Sequence, residues 1–290
     1  MDVVITSEVP ILNQTEVRPG STIRQVLLMG DTDDGLNFRL FRSQYQSGDG
    51  AFESPRHRHA FQQIRWTESG LVNYGPGQDI PANDIAYFPR GAYYGPQRKE
   101  ESVGLLLQLG FHGEHQSGPR WDSIREEAVE RLKQRGRFED GTYIERDEGS
   151  GEERRKDAAQ ALYEERFAMH TNRPFVVPQP RYEQPVLMHV DAFEYYSLSA
   201  GVEVKQLGDF NDNSGAEANL RISALRFSGA GGTTLARGRG QVGWAKRPGL
   251  RIAGHTYPEM TCFYCPRGEE AELSGDPGVE VFIIELPQAT

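Results

Sequence analysis

The stretch from His57 to Gly70 places two imidazoles, His57 and His59, two positions apart, followed by Gln63, Arg65 and Gly70. Side chains on an extended strand alternate faces with a period of two, so His57 and His59 share a face. Two imidazoles on one face, joined by a polar group from a neighbouring strand, can begin a metal site. They can equally begin an acid–base site. If Gln63 points inward, so does Arg65, two residues on. A guanidinium cannot shed its charge and is costly to bury alone, so an inward Arg65 calls for an anion from substrate or protein. Glu68 is near in sequence but faces the other way. The expectation is that Arg65 binds an anionic or carbonyl-bearing ligand; an internal salt bridge is the competing reading.

These residues sit in a run of short strands. Ile23–Met29, Leu36–Gln44, Gln63–Thr67, Leu71–Tyr74, Ile85–Phe88 and Val103–Phe111 read as strands, broken by turn clusters such as Ser47-Gly48-Asp49-Gly50 and Gly75-Pro76-Gly77. Residues 119–170 change character. Trp121–Arg135 and Arg155–His170 carry apolar residues at helical spacing, with Pro119 before the first and Gly136 as its cap, and Asp147–Arg155 reads as a solvated loop. Strand texture returns at Val202–Gly208, Leu220–Phe227, Gln241–Ala245, Arg251–Ala253, Thr261–Tyr264 and Val279–Leu286, with a hairpin-like turn at 274–278. The organisation expected is a β domain over 1–115, a helical connector over 116–180 and a second β domain over 181–290.

The length of 290 residues suits about two domains, and 32 Gly with 17 Pro suit an all-β chain with many turns. A net charge of −10 argues against nucleic acid or anionic membranes as partners. No apolar run approaches the ~20 residues that span a bilayer, and the first residues do not look like a signal peptide. The two cysteines, Cys262 and Cys265, make no disulfide framework, so a cytoplasmic location is expected. Their CxxC spacing falls on a strand rather than a helix start, which reads as two buried structural thiols. Gly229-Ala230-Gly231-Gly232 precedes no convincing helix and is no phosphate loop.

Residues 57–70 resemble the first motif of the cupin family, with His57, His59 and Gly70 in place and Gln63 at the glutamate position. Residues 84–97 resemble the second motif, with Pro89 and Gly91 matching and Tyr94 where a histidine stands in the family. A one-residue change of register would put Tyr93 there instead. The C-terminal half resembles a cupin more weakly: Cys265-Pro266-Arg267-Gly268 is similar to the second-motif turn, but Ala271 holds the histidine position and no His-x-His precedes it. The resemblance implies an all-β bicupin fold, two jelly-roll barrels joined by the helical connector, with the site in the first barrel and none in the second.

It also implies a ligand set. Metal cupins use three His and one Glu; the corresponding positions here are His57, His59, Gln63 and Tyr94. One divalent ion is the cofactor expected, iron first, with manganese, nickel or zinc as alternatives. An amide is a weaker ligand than a carboxylate, and a phenol must lose its proton to ligate, so the metal would bind less tightly than in a complete site. Three functions stay open. One is a metal-dependent oxygenase of a small organic molecule, oriented by Arg65. The second is a metal-free isomerase, epimerase or cyclase with His59 as base and Tyr94 as acid, as in metal-independent sugar epimerases of cupin fold, and with Arg65 or Gln63 stabilising an enolate. The third is a non-catalytic ligand-binding protein. Trp66 and Tyr87 join Arg65 and Gln63 as candidate substrate contacts. His112 and His115, after the last strand of the first barrel, are expected to be solvated. Family members often dimerise through strands, so a homodimer is the partner expected besides a small-molecule substrate.

Overall fold

Alternating burial places most strands where the sequence puts them. In Leu220–Phe227, Leu220, Ile222, Ala224 and Phe227 are buried while Arg221 is exposed, a half-buried strand with one face in a core. The computed structural model describes residues 1–14, 20–32, 34–46, 51–111, 113–116, 118–147, 149–212 and 216–289; the expected turn at 47–50 and His112 lie outside them. Among the described residues no helix is long and apolar enough to cross a membrane.

The expected boundaries at 115 and 180 are not those found. One compact unit comprises Ile11–Arg24 and Asn37–Leu187; the other comprises Met1–Pro10, Gln25–Leu36 and Met188–Thr290. The first strand, Asp2–Ile5, pairs antiparallel with Thr261–Cys265, bringing Val4 opposite Cys262. Pairing across 250 or more residues leaves no local trace in the sequence, because a strand's pattern records which face is buried and not which strand lies beside it.

The 116–180 segment is part of the first unit, not a separate connector. Its first helix breaks at Ile124 into Pro119–Ser123 and Arg125–Arg135. Gly136 is no left-handed cap; it is extended and opens a strand, Gly136–Glu139. Part of the expected loop is also strand. Glu153–Asp157 pairs with Thr142–Arg146, which pairs in turn with Gly136–Glu139. Ion pairs such as Arg137–Glu153 at 3.0 Å compensate the charges that made this segment read as solvated. The last helix, Ala158–Thr171, is capped by Asp157, whose carboxylate accepts from the Gln160 N–H at 2.8 Å. Ala128, Leu132, Tyr143, Ala161 and Leu162 form the buried seam of this region.

The other unit is a seven-stranded sheet ordered Asp2–Ile5, Thr261–Cys265, Gln241–Ala245, Glu280–Glu285, Leu220–Phe227, Val202–Phe210 and Tyr196–Ser199, together with a four-stranded sheet. Val204, Leu225, Phe227, Phe263, Leu273 and Val281 share one core. The 274–278 turn is not a hairpin: it links Ala271–Gly275 of the smaller sheet to Glu280–Glu285 of the larger. Cys262 and Cys265 are buried as thiols, and burial holds the Cys265 thiol above its ordinary pKa.

Candidate functional site

The site-bearing unit is built around Gln62–Ser69, which runs between Ile85–Phe88 on one side and Ser102–Phe111 on the other. Gln63 lies opposite Phe88 and Gln108, and Arg65 opposite Ala86 and Leu106. Directly opposed residues share a face, so Gln63, Arg65, Phe88 and Gln108 line the same side of the sheet. Gln63 and Arg65 are buried, at 1% and 7% exposure, among the cluster of Val72, Tyr74, Ile80, Ala86, Phe88 and Tyr94.

The second wall comes from the two motif segments paired with each other. His57 and Tyr94 form an isolated antiparallel bridge, the N–H of each donating to the carbonyl of the other at 3.0 Å. Gly91 N–H donates to the His59 carbonyl at 2.7 Å. Gly91 has a φ of 75°, and a Cβ there would lie 2.3 Å from the Pro178 carbonyl oxygen, so the motif glycine answers a steric demand of the turn. The register question is settled by this bridge. Tyr94 is buried, while Tyr93 is 43% exposed and lies under the Arg56 and Arg58 guanidinium groups at 4.6 and 4.7 Å.

His57 is buried, and its Nδ1 lies 2.7 Å from the Pro55 carbonyl. A carbonyl only accepts, so Nδ1 donates in this contact; in a neutral ring that leaves the lone pair on Nε2. The His57 ring is 4.4 Å from that of Tyr94. His59 is 6.0 Å from Tyr94 and stacks on Phe61 at 4.6 Å, with 13° between the planes. The imidazole nearest the phenol is therefore His57 and not His59, the one expected as base. Phe61 in turn packs against His115 and Tyr163.

Arg65 organises the interior. Its Nη2 donates to Tyr94 Oη at 3.0 Å and to Gln63 Oε1 at 3.2 Å, and Gln63 Nε2 donates to the same phenol oxygen at 3.0 Å. The guanidinium carbon lies 4.1 Å from the Phe88 ring centre and 4.9 Å from that of Tyr94, which are cation–π distances. Its Nε and Nη1 are buried and have no acceptor among the described residues. No carboxylate among the described residues pairs with it, so the internal salt bridge is not what holds Arg65. Glu68 forms a two-point ion pair with Arg42, at 2.6 and 3.0 Å.

Trp66 and Tyr87 are corrections. Trp66 alternates with Arg65 to the opposite face, and Tyr87 lies across from Ile64 and donates to Gln62 Oε1 at 2.9 Å. Both are core residues on the other side of the sheet from Arg65. His115 is also a correction. It is buried rather than solvated, with Nδ1 2.6 Å from Asn37 Oδ1, and burial lowers its pKa to about 3. Gln108 and Phe88 are the lining residues that residue type alone did not single out as substrate contacts. Only the strand register brings them to Gln63.

His57, His59, Gln63 and Tyr94 do come together, but the set as arranged does not fit a divalent metal. A single Arg65 nitrogen occupies both the Gln63 carbonyl oxygen and the Tyr94 phenol oxygen. Among the described residues no group of three or more His, Cys, Asp or Glu is placed to hold a metal.

The fold is cupin-like, of the two-barrel kind seen in the solved structures that it matches. No protein-family model matches the chain, and no curated protein matches it in sequence. Solved structures do match. A protein from Nostoc punctiforme named as a candidate dioxygenase is similar at TM-score 0.60 and 12% identity, over 98% of this chain and 82% of that one. Streptomyces albus HEPD, solved with 2-hydroxyethylphosphonate and Fe(II), is similar at 0.52 and 11%, over 98% and 75%. Bacillus subtilis oxalate decarboxylase is similar at 0.53 and 12%, over 99% and 78%.

Proposed function

We propose that this chain is a bicupin-type enzyme whose site acts on a small organic anion by proton transfer. The observation that carries the reading is Arg65: a buried, permanent cation held by Gln63 and Tyr94, which among the described residues has no carboxylate partner and two nitrogens without acceptors. A buried donor left without an acceptor costs about 1–3 kcal/mol, more when charged, and an anionic oxygen of a substrate would recover that cost. Tyr94, which accepts from Arg65, lies against the His57 ring; in this reading the imidazole is the base and the phenol the proton carrier. Arg65 would then stabilise the enolate that forms as a proton leaves the carbon next to a carbonyl. One structural neighbour was solved with 2-hydroxyethylphosphonate as substrate and another is named for oxalate, both small anions, which supports the ligand class.

A panel of small carboxylic, hydroxy, keto and phosphonic acids, screened by thermal shift, tests the binding half. Incorporation of deuterium from heavy water, followed by proton NMR, tests the chemical half. Binding that disappears in Arg65→Leu, with deuterium wash-in that disappears in His57→Gln, is expected. A panel without a single Arg65-dependent shift would sink the proposal.

The second reading is a metal-dependent oxygenase with iron at His57 and His59, which requires Arg65 to release Gln63 and Tyr94 first. It is favoured by the Fe(II) of HEPD and the Mn(II) centres of oxalate decarboxylase. Elemental analysis of the untagged protein, with His57→Ala/His59→Ala as control, separates the two.

A further inference from the structure

We infer that Arg65 is the resident cation of this site and keeps a divalent metal out of it. The inference deepens the anion-binding reading and rests on it for what the cation does. Gln63 Oε1 and Tyr94 Oη both accept from Arg65 Nη2, at 3.2 and 3.0 Å. Metal–oxygen bonds are about 2.0–2.2 Å, so an ion on the phenol oxygen would lie no more than about 5 Å from that nitrogen. The guanidinium cannot deprotonate to make room. Nor is it loosely held: Phe88 and Tyr94 cover it, and Ala86 and Leu106 flank its backbone. The position that offers a carboxylate in metal cupins is the neutral amide of Gln63. A metal would add two positive charges to one already buried, with no carboxylate paired to Arg65 among the described residues to offset them.

The same residues offer what would replace the metal. A metal would draw an anionic oxygen towards itself; among the described residues Nε and Nη1 of Arg65 have no acceptor, and in this reading they take that oxygen. The cation is built into the chain, and the ligand it takes is an anion.

Cobalt(II) titration of the purified protein, followed by calorimetry and by visible absorption, tests this. The wild type, Gln63→Glu, and Gln63→Glu/Arg65→Met are compared, each checked for native circular dichroism. The wild type is expected to show no site-specific binding below millimolar metal. Gln63→Glu alone is expected to stay metal-free, because the new carboxylate pairs with Arg65. The double variant is expected to bind at least 100-fold more tightly than the wild type and to lose that gain when His57→Ala is added. One tightly bound cobalt in the wild type or in Gln63→Glu overturns the inference, and so does a folded double variant that gains none. The anion screen on the wild type is read separately. A protein that binds neither metal nor organic acid overturns the anion reading and leaves the exclusion of metal standing.

Discussion

Arg65 Nη2 lies 3.0 Å from Tyr94 Oη, and the Tyr94 backbone is bridged to His57 by two 3.0 Å hydrogen bonds. One tyrosine therefore joins the two segments, its phenol accepting from the buried cation of one strand and its backbone paired with that of His57. Tyr94→Phe removes the oxygen that accepts from both Arg65 and Gln63. The cost should be about 1–3 kcal/mol, the penalty for stranding buried donors. It would be read as a lower midpoint in guanidinium unfolding with an unchanged slope. Loss of proton exchange at a bound substrate is expected beyond what the stability change accounts for.

Gly91 and Gly77 separate two costs of a side chain. Both have positive φ, 75° and 67°, but a Cβ at Gly91 meets the Pro178 carbonyl oxygen at 2.3 Å, while at Gly77 nothing among the described residues lies within 4 Å. Gly77→Ala should cost only backbone strain, about 1 kcal/mol. Gly91→Ala should cost clearly more, roughly 3 kcal/mol, because strain and overlap with backbone add. Equal losses in thermal or chemical denaturation would contradict the contact with Pro178.

His115 should make the fold acid-sensitive. Burial lowers its pKa to about 3 from an ordinary 6.5. Above 6.5 the imidazole is neutral folded or unfolded and has no effect on stability. Below 6.5 the unfolded chain takes up a proton that the folded one refuses, so stability falls with pH until about 3, by up to about 1.4 kcal/mol per unit. His115→Gln is expected to flatten the stability profile between pH 6 and 4. Parallel profiles for the two proteins would show that His115 is not the group responsible.

Glu68 provides the contrast with Arg65. It is satisfied by Arg42, at 2.6 and 3.0 Å, and both side chains are partly exposed. Glu68→Gln should therefore cost on the order of 1 kcal/mol or less and leave organic-acid binding at its wild-type value. Weakened binding in this variant, measured by calorimetry, would mean that the anion is held by a wider charge network than Arg65.

The sequence by itself determined the all-β character and the pairing of chemistry at the site. Period-two spacing put His57 with His59 and Gln63 with Arg65, and the burial cost of a guanidinium made Arg65 a functional candidate before any contact was known. What tertiary structure decided was identity of neighbours. Whether Tyr93 or Tyr94 faced inward depended on the bridge to His57. That Trp66 and Tyr87 fell on the far face followed from register with Ile85–Phe88. That Asp2–Ile5 joined the C-terminal unit followed from a pairing partner some 260 residues away. A strand's own pattern carries its faces but not its partners, and the charge pattern of 136–157 hid strands whose ion pairs exist only once they lie side by side. The same limit applies at the site. The four residues that resemble a ligand set were legible one by one, but that Arg65 would hold two of them was decided only when the chain folded.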